Sequence, residues 1–249
     1  MEKLIGLLFG AVFAVRALDA KKPWWARVAY GTVGFDLVSS ALRGEPLADA
    51  RPKGAQASKL VAGNDGTKLH FEEKRVGTIA ERVSLVHEQM VKGTRDPQVY
   101  MLAREVLSQR CGDTWCAPEK DPRAELTALF NAVRKRVRYT WDPIDYDAFQ
   151  TPAKTLQLGT ADCDCYVALL GALCRSVNYR VRSRVVQTKG NTTWNHIYLL
   201  AAPNGTEQWM SLDPSMNMPA GWEVPKSYVI AMKDFDVVER GGNVKLNGG

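Results

Sequence analysis

The feature that most constrains this chain is a cysteine at the start of an apolar helix, in residues 159–174 (GTADCDCYVALLGALC). Asp162 is a typical N-cap residue, and it follows a loop that ends at a glycine. Apolar side chains then recur at helical spacing, at Val167, Leu170 and Cys174. Cys163 is therefore predicted in the first turn of a buried helix. There the unpaired N–H groups and the helix dipole favour a thiolate, so we expect Cys163 to be a nucleophile.

Two aspartates flank this cysteine and oppose the effect of the helix terminus. Asp162 and Asp164 place negative charge beside the sulfur, so they raise the pKa of the thiol while the helix terminus lowers it. An ion pair with a protonated histidine would favour the thiolate. Cys165 is the alternative nucleophile, and the alternative role for Cys163 is that of a small buried core residue.

Two downstream segments supply a candidate base and a group to hold it. Residues 194–200 (WNHIYLL) predict a strand that carries His196, and residues 208–214 (QWMSLDP) predict the next strand, which ends at Asp213. A base takes the proton of the thiol, and a carboxylate fixes the tautomer of the imidazole. His196 could instead be a core histidine bonded to the backbone, and Asp213 a turn residue before a proline.

Together, the motifs G-x-x-D-C-D-x-Y, W-N-H and W-x-x-L-D-P resemble the transglutaminase-like superfamily, which contains cysteine acyl-transferases and peptidases of papain-like fold. The resemblance covers residues 75–215, and it implies that Cys163, His196 and Asp213 form a catalytic triad. It further implies an α+β fold, in which a helical layer with the nucleophile helix packs on an antiparallel sheet. The implied activity is acyl transfer on amide bonds of a protein or peptide, as a peptidase, an amidase or a transglutaminase, without a cofactor.

A second set of residues resembles the branch of this superfamily that is found among phage structural proteins. These residues are 137–143 (VRYTWDP), 150–152 (QTP) and 155–156 (TL). The resemblance implies a location in a phage virion or in the host cytoplasm. It also keeps open an alternative function, that of a catalytically silent structural or membrane-anchored virion protein which retains the fold.

Several groups near the nucleophile are candidates for binding the substrate. The backbone N–H of Cys163 is the first candidate donor to an oxyanion. A second donor could be the side-chain amide of Gln157, as in papain-like enzymes, or the indole N–H of Trp141 or Trp194. The acidic, aromatic loop before the nucleophile helix is expected to form a wall of the cleft. The cleft candidates are Tyr139, Asp162, Asp164 and Cys165, with packing in the helical layer as the alternative role for the aromatic rings.

The first 44 residues differ in composition from the rest. Residues 4–15 form an apolar run shorter than the ~20 residues that span a bilayer. Residues 21–25 (KKPWW) combine basic residues with paired tryptophans, as segments at membrane interfaces do. A second apolar segment with small residues follows. We expect a helical hairpin that enters a membrane or docks on a partner protein. The predicted divisions are 1–44 for this hairpin, 45–66 for a linker, 67–240 for the transglutaminase-like domain and 241–249 for a flexible tail.

The remaining pattern predicts three helices before the nucleophile and a sheet after it. One helix covers residues 79–91, and Asp96-Pro97 and Asp121-Pro122 mark the starts of the other two. The segment between the third helix and residue 155 is predicted as a loop. The predicted strands after the nucleophile helix, besides those that carry the histidine and the aspartate, are 180–187, 227–232 and 235–238.

Charge and cysteine content narrow the range of partners and cofactors. The net charge of +6 comes from Lys and Arg spread along 249 residues, which favours a solvated surface over a nucleic-acid site. Five cysteines, an odd number, argue against a fully paired disulfide framework. The Gly-containing loop between Cys111 and Cys116 could close a disulfide bond, but in a reducing cytosol we expect two free thiols. No metal is expected, because no second Cys or His pair stands at ligand spacing.

Overall fold

The structure is a computed structural model, and it describes residues 58–62, 68–72, 77–142 and 147–237. These residues belong to two units. One is an antiparallel hairpin of β1 (Ser58–Ala62) and β2 (Lys68–Glu72), and the other comprises residues 78–142 and 147–237. Strand β1 lies inside the predicted linker, which is therefore not structureless throughout. Strand β2 lies in the range predicted for the domain, but it pairs with β1 in the first unit. The second unit therefore begins at residue 78 and not at residue 67.

Two of the predicted segments cannot be compared with the structure. The hairpin of residues 1–44 and the tail of residues 241–249 lie outside the described residues. Within the part of the chain that is described, no helix has the length and the apolar character needed to cross a bilayer.

The three helices predicted before the nucleophile are confirmed. They are α1 (Ile79–Thr94), α2 (Pro97–Leu107) and α3 (Pro122–Arg136). Helix α1 starts with a capping box, whereas α2 and α3 start with an aspartate cap and a proline at the first position, where no N–H donor is needed. Each of these helices buries one apolar stripe, as its sequence period predicts.

Two more helices complete the layer, and one of them was not predicted. Helix α4 (Pro152–Leu158) occupies the end of the segment predicted as a loop. The Thr151 side chain caps α4, and Gly159 ends it in the left-handed conformation at φ 67°. Helix α5 (Cys163–Ser176) is the predicted nucleophile helix, and every residue from Cys165 to Cys174 in it is buried. It packs against α1 to α4 and against the sheet, which makes it the centre of the fold.

The main sheet has four antiparallel strands in the order β10-β7-β8-β9. The strands predicted at 227–232 and 235–238 form one strand, β10, which continues through residues 233 and 234. A short 3-10 turn precedes it. Short pairs lie outside this sheet, one of them the parallel pair of β5 and β6. The bounds are β3 (Arg110–Cys111), β4 (Thr114–Trp115), β5 (Arg138–Tyr139), β6 (Thr160–Ala161), β7 (Tyr179–Thr188), β8 (His196–Pro203), β9 (Met210–Leu212) and β10 (Val229–Asp236).

The expectation of free thiols at residues 111 and 116 is wrong in this structure. Cys111 and Cys116 form a disulfide bond across the hairpin of β3 and β4. The pairing of Cys111 with Thr114 and the turn at Gly112 bring the two Cα atoms to 4.9 Å, a distance that permits the bond. The expectation rested on an assumed reducing compartment, whereas the hairpin geometry is local. The other three cysteines are free.

The close approach of α1 and α4 depends on a glycine, and this gives a testable prediction. A Cβ atom on Gly93 would lie 2.3 Å from Cγ of Pro152, and a proline ring cannot rotate away. We expect Gly93→Ala to lower the free energy of unfolding by about 1–3 kcal/mol, the usual cost of overpacking. This loss would appear even though alanine is favoured over glycine in a helix by about 1 kcal/mol. Urea unfolding gives the measurement.

The control for this variant is Ser84→Ala, at an exposed position on the same helix. It should change the free energy of unfolding by less than about 0.5 kcal/mol. Equal stability of the two variants would contradict the packing of α1 on α4.

Candidate active site

A short parallel strand pair fixes the start of α5. The N–H of Arg138 donates to the carbonyl of Gly159 at 2.8 Å, and the N–H of Thr140 donates to Ala161 at 2.9 Å. Asp162 follows directly and caps the helix, since its Oδ1 accepts from the N–H of Cys165 at 3.0 Å. Cys163 is thus the first residue of α5, as predicted from the cap and the apolar period.

The thiol of Cys163 is half-buried and is held by the next residue in the chain. Its Sγ donates to Oδ1 of Asp164 at 3.7 Å. Burial raises the pKa of Cys163 well above its ordinary value, and the charges of Asp164, Asp162 and Asp213 raise it further, while Arg82 lowers it. The resting residue is therefore a neutral thiol, and the helix terminus alone does not make it a thiolate.

Cys165, the alternative nucleophile, has a structural place instead. Its Sγ donates to the carbonyl of Ala148 at 2.9 Å and accepts from the N–H of Gln150 at 3.3 Å. The residue is 1% exposed, and burial raises the pKa of its thiol. Cys165 therefore fastens the segment before α4 to the helix, and its sulfur has no access to solvent.

His196 and Asp213 meet at one end of the sheet. His196 is the first residue of β8, and Asp213 follows the last residue of β9, so the antiparallel pairing of these strands brings them together. Nε2 of His196 lies 2.6 Å from Oδ2 of Asp213. The hydroxyl of Ser215 donates to the other oxygen, Oδ1, at 2.6 Å. Within the described residues Nδ1 of His196 makes no hydrogen bond, which leaves this nitrogen for proton exchange.

The charges of the two halves of the site act on each other. Burial lowers the pKa of His196, but the charge of Asp213, its hydrogen bond and the charge of Asp164 outweigh burial, so the pKa is raised. In the same way, Asp213 raises the pKa of Cys163. The helix start and the pair of His196 with Asp213 are thus close enough for electrostatic coupling.

A cation that the sequence did not reveal lies next to the thiol. Arg82, on α1, places Nη2 at 2.5 Å from Oδ2 of Asp147 and at 3.9 Å from Oδ2 of Asp164. Sequence reasoning treated α1 only by its apolar stripe. An ion pair between segments more than sixty residues apart leaves no local signal, so only the fold identifies Arg82 as part of the site.

The carboxylates around Arg82 repel one another. Burial and the charge of Asp162 raise the pKa of Asp142 to about 7, although the N–H of Ala148 donates to this carboxylate at 2.7 Å. Burial also raises the pKa of both Asp162 and Asp164, and each is affected by further carboxylates. The cleft candidates Asp162 and Asp164 therefore lie in an acidic site in which Arg82 is the cation that acts on the thiol.

Two aromatic rings extend from β5 beside the helix start. The ring of Tyr139 stacks on Tyr166 at 6.4 Å and meets Trp141 edge to face at 5.0 Å. Burial and the neighbouring Cys163 raise the pKa of Tyr139, so its hydroxyl is neutral near the thiol. Trp141 is 59% exposed, which is unusual for such a large apolar ring. This arrangement is compatible with the predicted cleft wall.

The predicted side-chain donors to an oxyanion are not joined to the thiol. Gln157 is exposed, and its Oε1 accepts from Nζ of Lys154 at 2.6 Å. Trp194 packs against the main hydrophobic core. Across the described ranges, no hydrogen bond links Gln157, Trp194 or Trp141 to Cys163. The backbone N–H of Cys163, at the helix start, remains the predicted donor with a structural basis.

The same helix start also brings together atoms that could bind a metal. Asp162, Cys163 and Asp164 offer ligand atoms that all lie within 4.8 Å of one another. Carboxylates are common at helix starts, where the dipole and the free N–H groups stabilise them. The hydrogen bond of the thiol to Asp164 and the ion pair with Arg82 account for the arrangement, and we assign no metal to it.

Comparison with known proteins supports the interpretation of the fold. Residues 109–214 match the sequence profile of the transglutaminase-like superfamily core, and this range includes Cys163, His196 and Asp213. Residues 109–214 form a transglutaminase-like superfamily domain. At the level of the superfamily, this match supports a cysteine-dependent enzyme. The resemblance to phage structural proteins has no counterpart in these comparisons and stays a prediction.

The solved structures that match include a predicted cysteine protease from Cytophaga hutchinsonii. It is 13% identical, with a TM-score of 0.39, and the match covers 72% of this chain and 67% of that chain. This similarity is too low to carry a conclusion about mechanism. None of the curated proteins matches the chain.

The pairing of His196 with Asp213 in the transglutaminase-like domain predicts a change in titration. We expect Asp213→Asn to lower the pKa of His196, because the variant removes the charge that offsets burial. NMR titration of the histidine ring protons measures this pKa, and assignment is simple because the chain has 3 histidines. Ser215→Ala, which leaves the charge in place, is the control. An unchanged His196 pKa in Asp213→Asn would contradict the pairing.

The same shift predicts how stability depends on pH. The folded pKa of His196 is raised, so the stabilisation from its pairing is fully present below the unfolded pKa of about 6.5. It is lost as the pH rises through the folded value. Asp213→Asn should therefore destabilise the domain more at pH 5.5 than at pH 9, as measured by urea unfolding. A constant difference across this range would contradict the charged pair.

Proposed function

We propose that the transglutaminase-like domain catalyses cysteine-dependent acyl transfer on amide bonds, with Cys163, His196 and Asp213 as its triad. The observation that carries the proposal is the 2.6 Å contact of His196 Nε2 with a buried Asp213, whose charge also acts on the Cys163 thiol at the helix start. This contact fixes the plane of the imidazole and its tautomer, so that Nδ1 is the nitrogen available to the thiol. The substrate class is a protein or peptide.

In the first step, Nδ1 of His196 takes the proton of the Cys163 thiol. The thiolate then attacks the carbonyl carbon of the amide, and the electron pair of the carbonyl bond moves to the oxygen. The backbone N–H of Cys163 donates to this oxyanion. When the intermediate collapses, the C–N bond breaks, the imidazolium protonates the leaving amine or ammonia, and a thioester remains.

In the second step, an acceptor attacks the thioester and the thiol is restored. His196 takes a proton from the acceptor and returns it to the sulfur as the C–S bond breaks. Water as the acceptor gives a peptidase or an amidase, whereas the amine of a lysine gives a cross-linking transglutaminase. The difference depends on how far the acceptor site excludes water, because the triad is the same in both reactions.

Asp213 has two roles in this scheme. Asp213 is 5% exposed, and its carboxylate accepts a hydrogen bond from Ser215. The carboxylate therefore keeps its position when the imidazole gains and loses a proton. Its charge stabilises the imidazolium that forms in each step, in agreement with the raised pKa of His196. The loss of this charge should therefore affect turnover more than binding of the substrate.

One observation favours the second candidate, a catalytically silent structural protein of a phage particle. The resting thiol of Cys163 donates to Asp164, and its pKa is held above the ordinary value, which is the opposite of an activated nucleophile. In that case residues 1–44 would supply attachment to a membrane or to a virion protein. A measurement of turnover separates this candidate from the enzyme.

The test of the enzymatic proposal uses the intact protein with a glutamine-containing peptide. Release of ammonia and incorporation of a fluorescent primary amine measure the two acyl-transfer outcomes, and cleavage of a peptide library measures proteolysis. We expect Cys163→Ala to abolish all activity and His196→Gln to lower it by about 10²–10⁴-fold, the usual contribution of a general base.

The matched control is Cys174→Ala, which removes a buried thiol from the core side of the same helix. It should retain activity in proportion to the folded fraction. Full activity in Cys163→Ala would refute the proposal. A folded wild-type protein that shows none of the three activities would favour the structural candidate.

A further inference from the structure

The nucleophile of the proposed reaction is held by a group that the triad does not use. Oδ1 of Asp164 accepts a hydrogen bond from Sγ of Cys163 at 3.7 Å. Oδ2 of the same carboxylate lies 3.9 Å from Nη2 of Arg82. Arg82 in turn lies much closer to Asp147, at 2.5 Å. One carboxylate thus links the reacting sulfur to a cation on another helix.

We propose that Asp164 keeps the Cys163 thiol protonated and that Arg82, whose charge acts on the thiol in the opposite sense, is the residue that limits this restraint. The inference concerns the regulation of the same site and rests on the proposed role of Cys163. Burial raises the pKa of Asp164 to about 7, so this carboxylate is ionised in the upper part of the pH range of the test, where it opposes loss of the thiol proton in two ways. Loss of the proton removes the hydrogen bond that the thiol donates to Asp164. It also leaves the thiolate next to a second anion in a partly buried site.

The position of Arg82 makes its compensation incomplete. The Arg82 side chain is 37% exposed, and its guanidinium is shared between two carboxylates, with the shorter distance to Asp147. Asp164 has an exposed side-chain fraction of 12%, so its charge is screened less by water than that of Asp147, at 46%. The thiol therefore senses an anion that is only partly neutralised.

The other charged groups near Cys163 and Asp164 either favour or oppose the loss of a proton from these two residues. Asp162 and Asp213 oppose ionisation of Cys163, and Arg82 favours it. Asp162, Asp147 and Asp142 oppose ionisation of Asp164, and Arg82 favours it. His196, whose pKa Asp164 raises, and Tyr139, whose pKa Cys163 raises, complete the set. Among the charges that act on Cys163, that of Asp164 has the largest effect, so Asp164 is the residue to change.

The test is the rate of alkylation of Cys163 by iodoacetamide from pH 6 to 9.5, with the modified cysteine located by peptide mass spectrometry. A fall of one unit in thiol pKa raises the thiolate fraction tenfold but makes the thiolate about threefold less nucleophilic, so the net gain is about threefold. We expect Asp164→Asn to react about 3–10-fold faster than wild type at pH 7.5, with the pH profile moved to lower pH. Arg82→Gln should react about threefold slower, with the profile moved to higher pH.

Three further variants separate charge from shape. Asp164→Glu keeps the charge and should restore the profile toward that of wild type. In the double variant of Arg82→Gln with Asp164→Asn, the profile should lie between those of the two single variants, because the two charges act on the thiol in opposite directions. Lys92→Gln removes an equal charge from an exposed ion pair on the same helix and should not move the profile.

The outcomes distinguish this inference from the proposed function, because alkylation needs no substrate. An unmoved profile in Asp164→Asn, or a profile of Arg82→Gln moved to lower pH, would overturn the inference while leaving a Cys163-dependent activity intact. The expected shifts in a protein that shows no turnover would uphold the inference and refute the enzymatic proposal.

Discussion

The burial of α5 on all sides is the constraint on which the rest of the structure depends. Residues Cys165 to Cys174 form an unbroken buried run, which a helix on the surface of a domain cannot have. Four helices and the sheet pack around it, so its axis is fixed by the main core. Only the first two and the last two residues of α5 are not fully buried, and Cys163 is the first residue. The position of the thiol is therefore a consequence of core packing and needs no flexible loop.

The sheet places the second half of the site by an equally simple device. Strands β8 and β9 are neighbours and run antiparallel, so the start of one and the end of the other lie at the same edge. His196 and Asp213 occupy these two ends and form a buried pair. Because α5 packs on β8, the helix start and this edge belong to one rigid arrangement. Core packing alone thus relates the sulfur to the imidazole.

Sequence reasoning succeeded where the determinant was local. The aspartate caps, the 3.6-residue period of α5 and the alternation of β7 each act within a few residues, and these elements were predicted. It failed where distant segments decide. Helix α4 is stabilised by its contact with Gly93, the strand β1 by its pairing with β2, and Arg82 by two carboxylates far along the chain.

Arg82 lies outside the segment that matches the superfamily profile. The same set of residues around the thiol can therefore differ in reactivity between proteins. The match to the superfamily profile begins at residue 109 and includes the thiol, the imidazole and the aspartates beside the thiol, but not α1. The cation that acts on Asp164 therefore comes from outside the matched core. A helix added before that core can supply a cation, a neutral side chain or an anion at this point without disturbing the strands that hold the histidine. Since the thiol pKa responds to the charge next to it, a residue of α1 can adjust the reactivity of Cys163 while the matched core is unchanged.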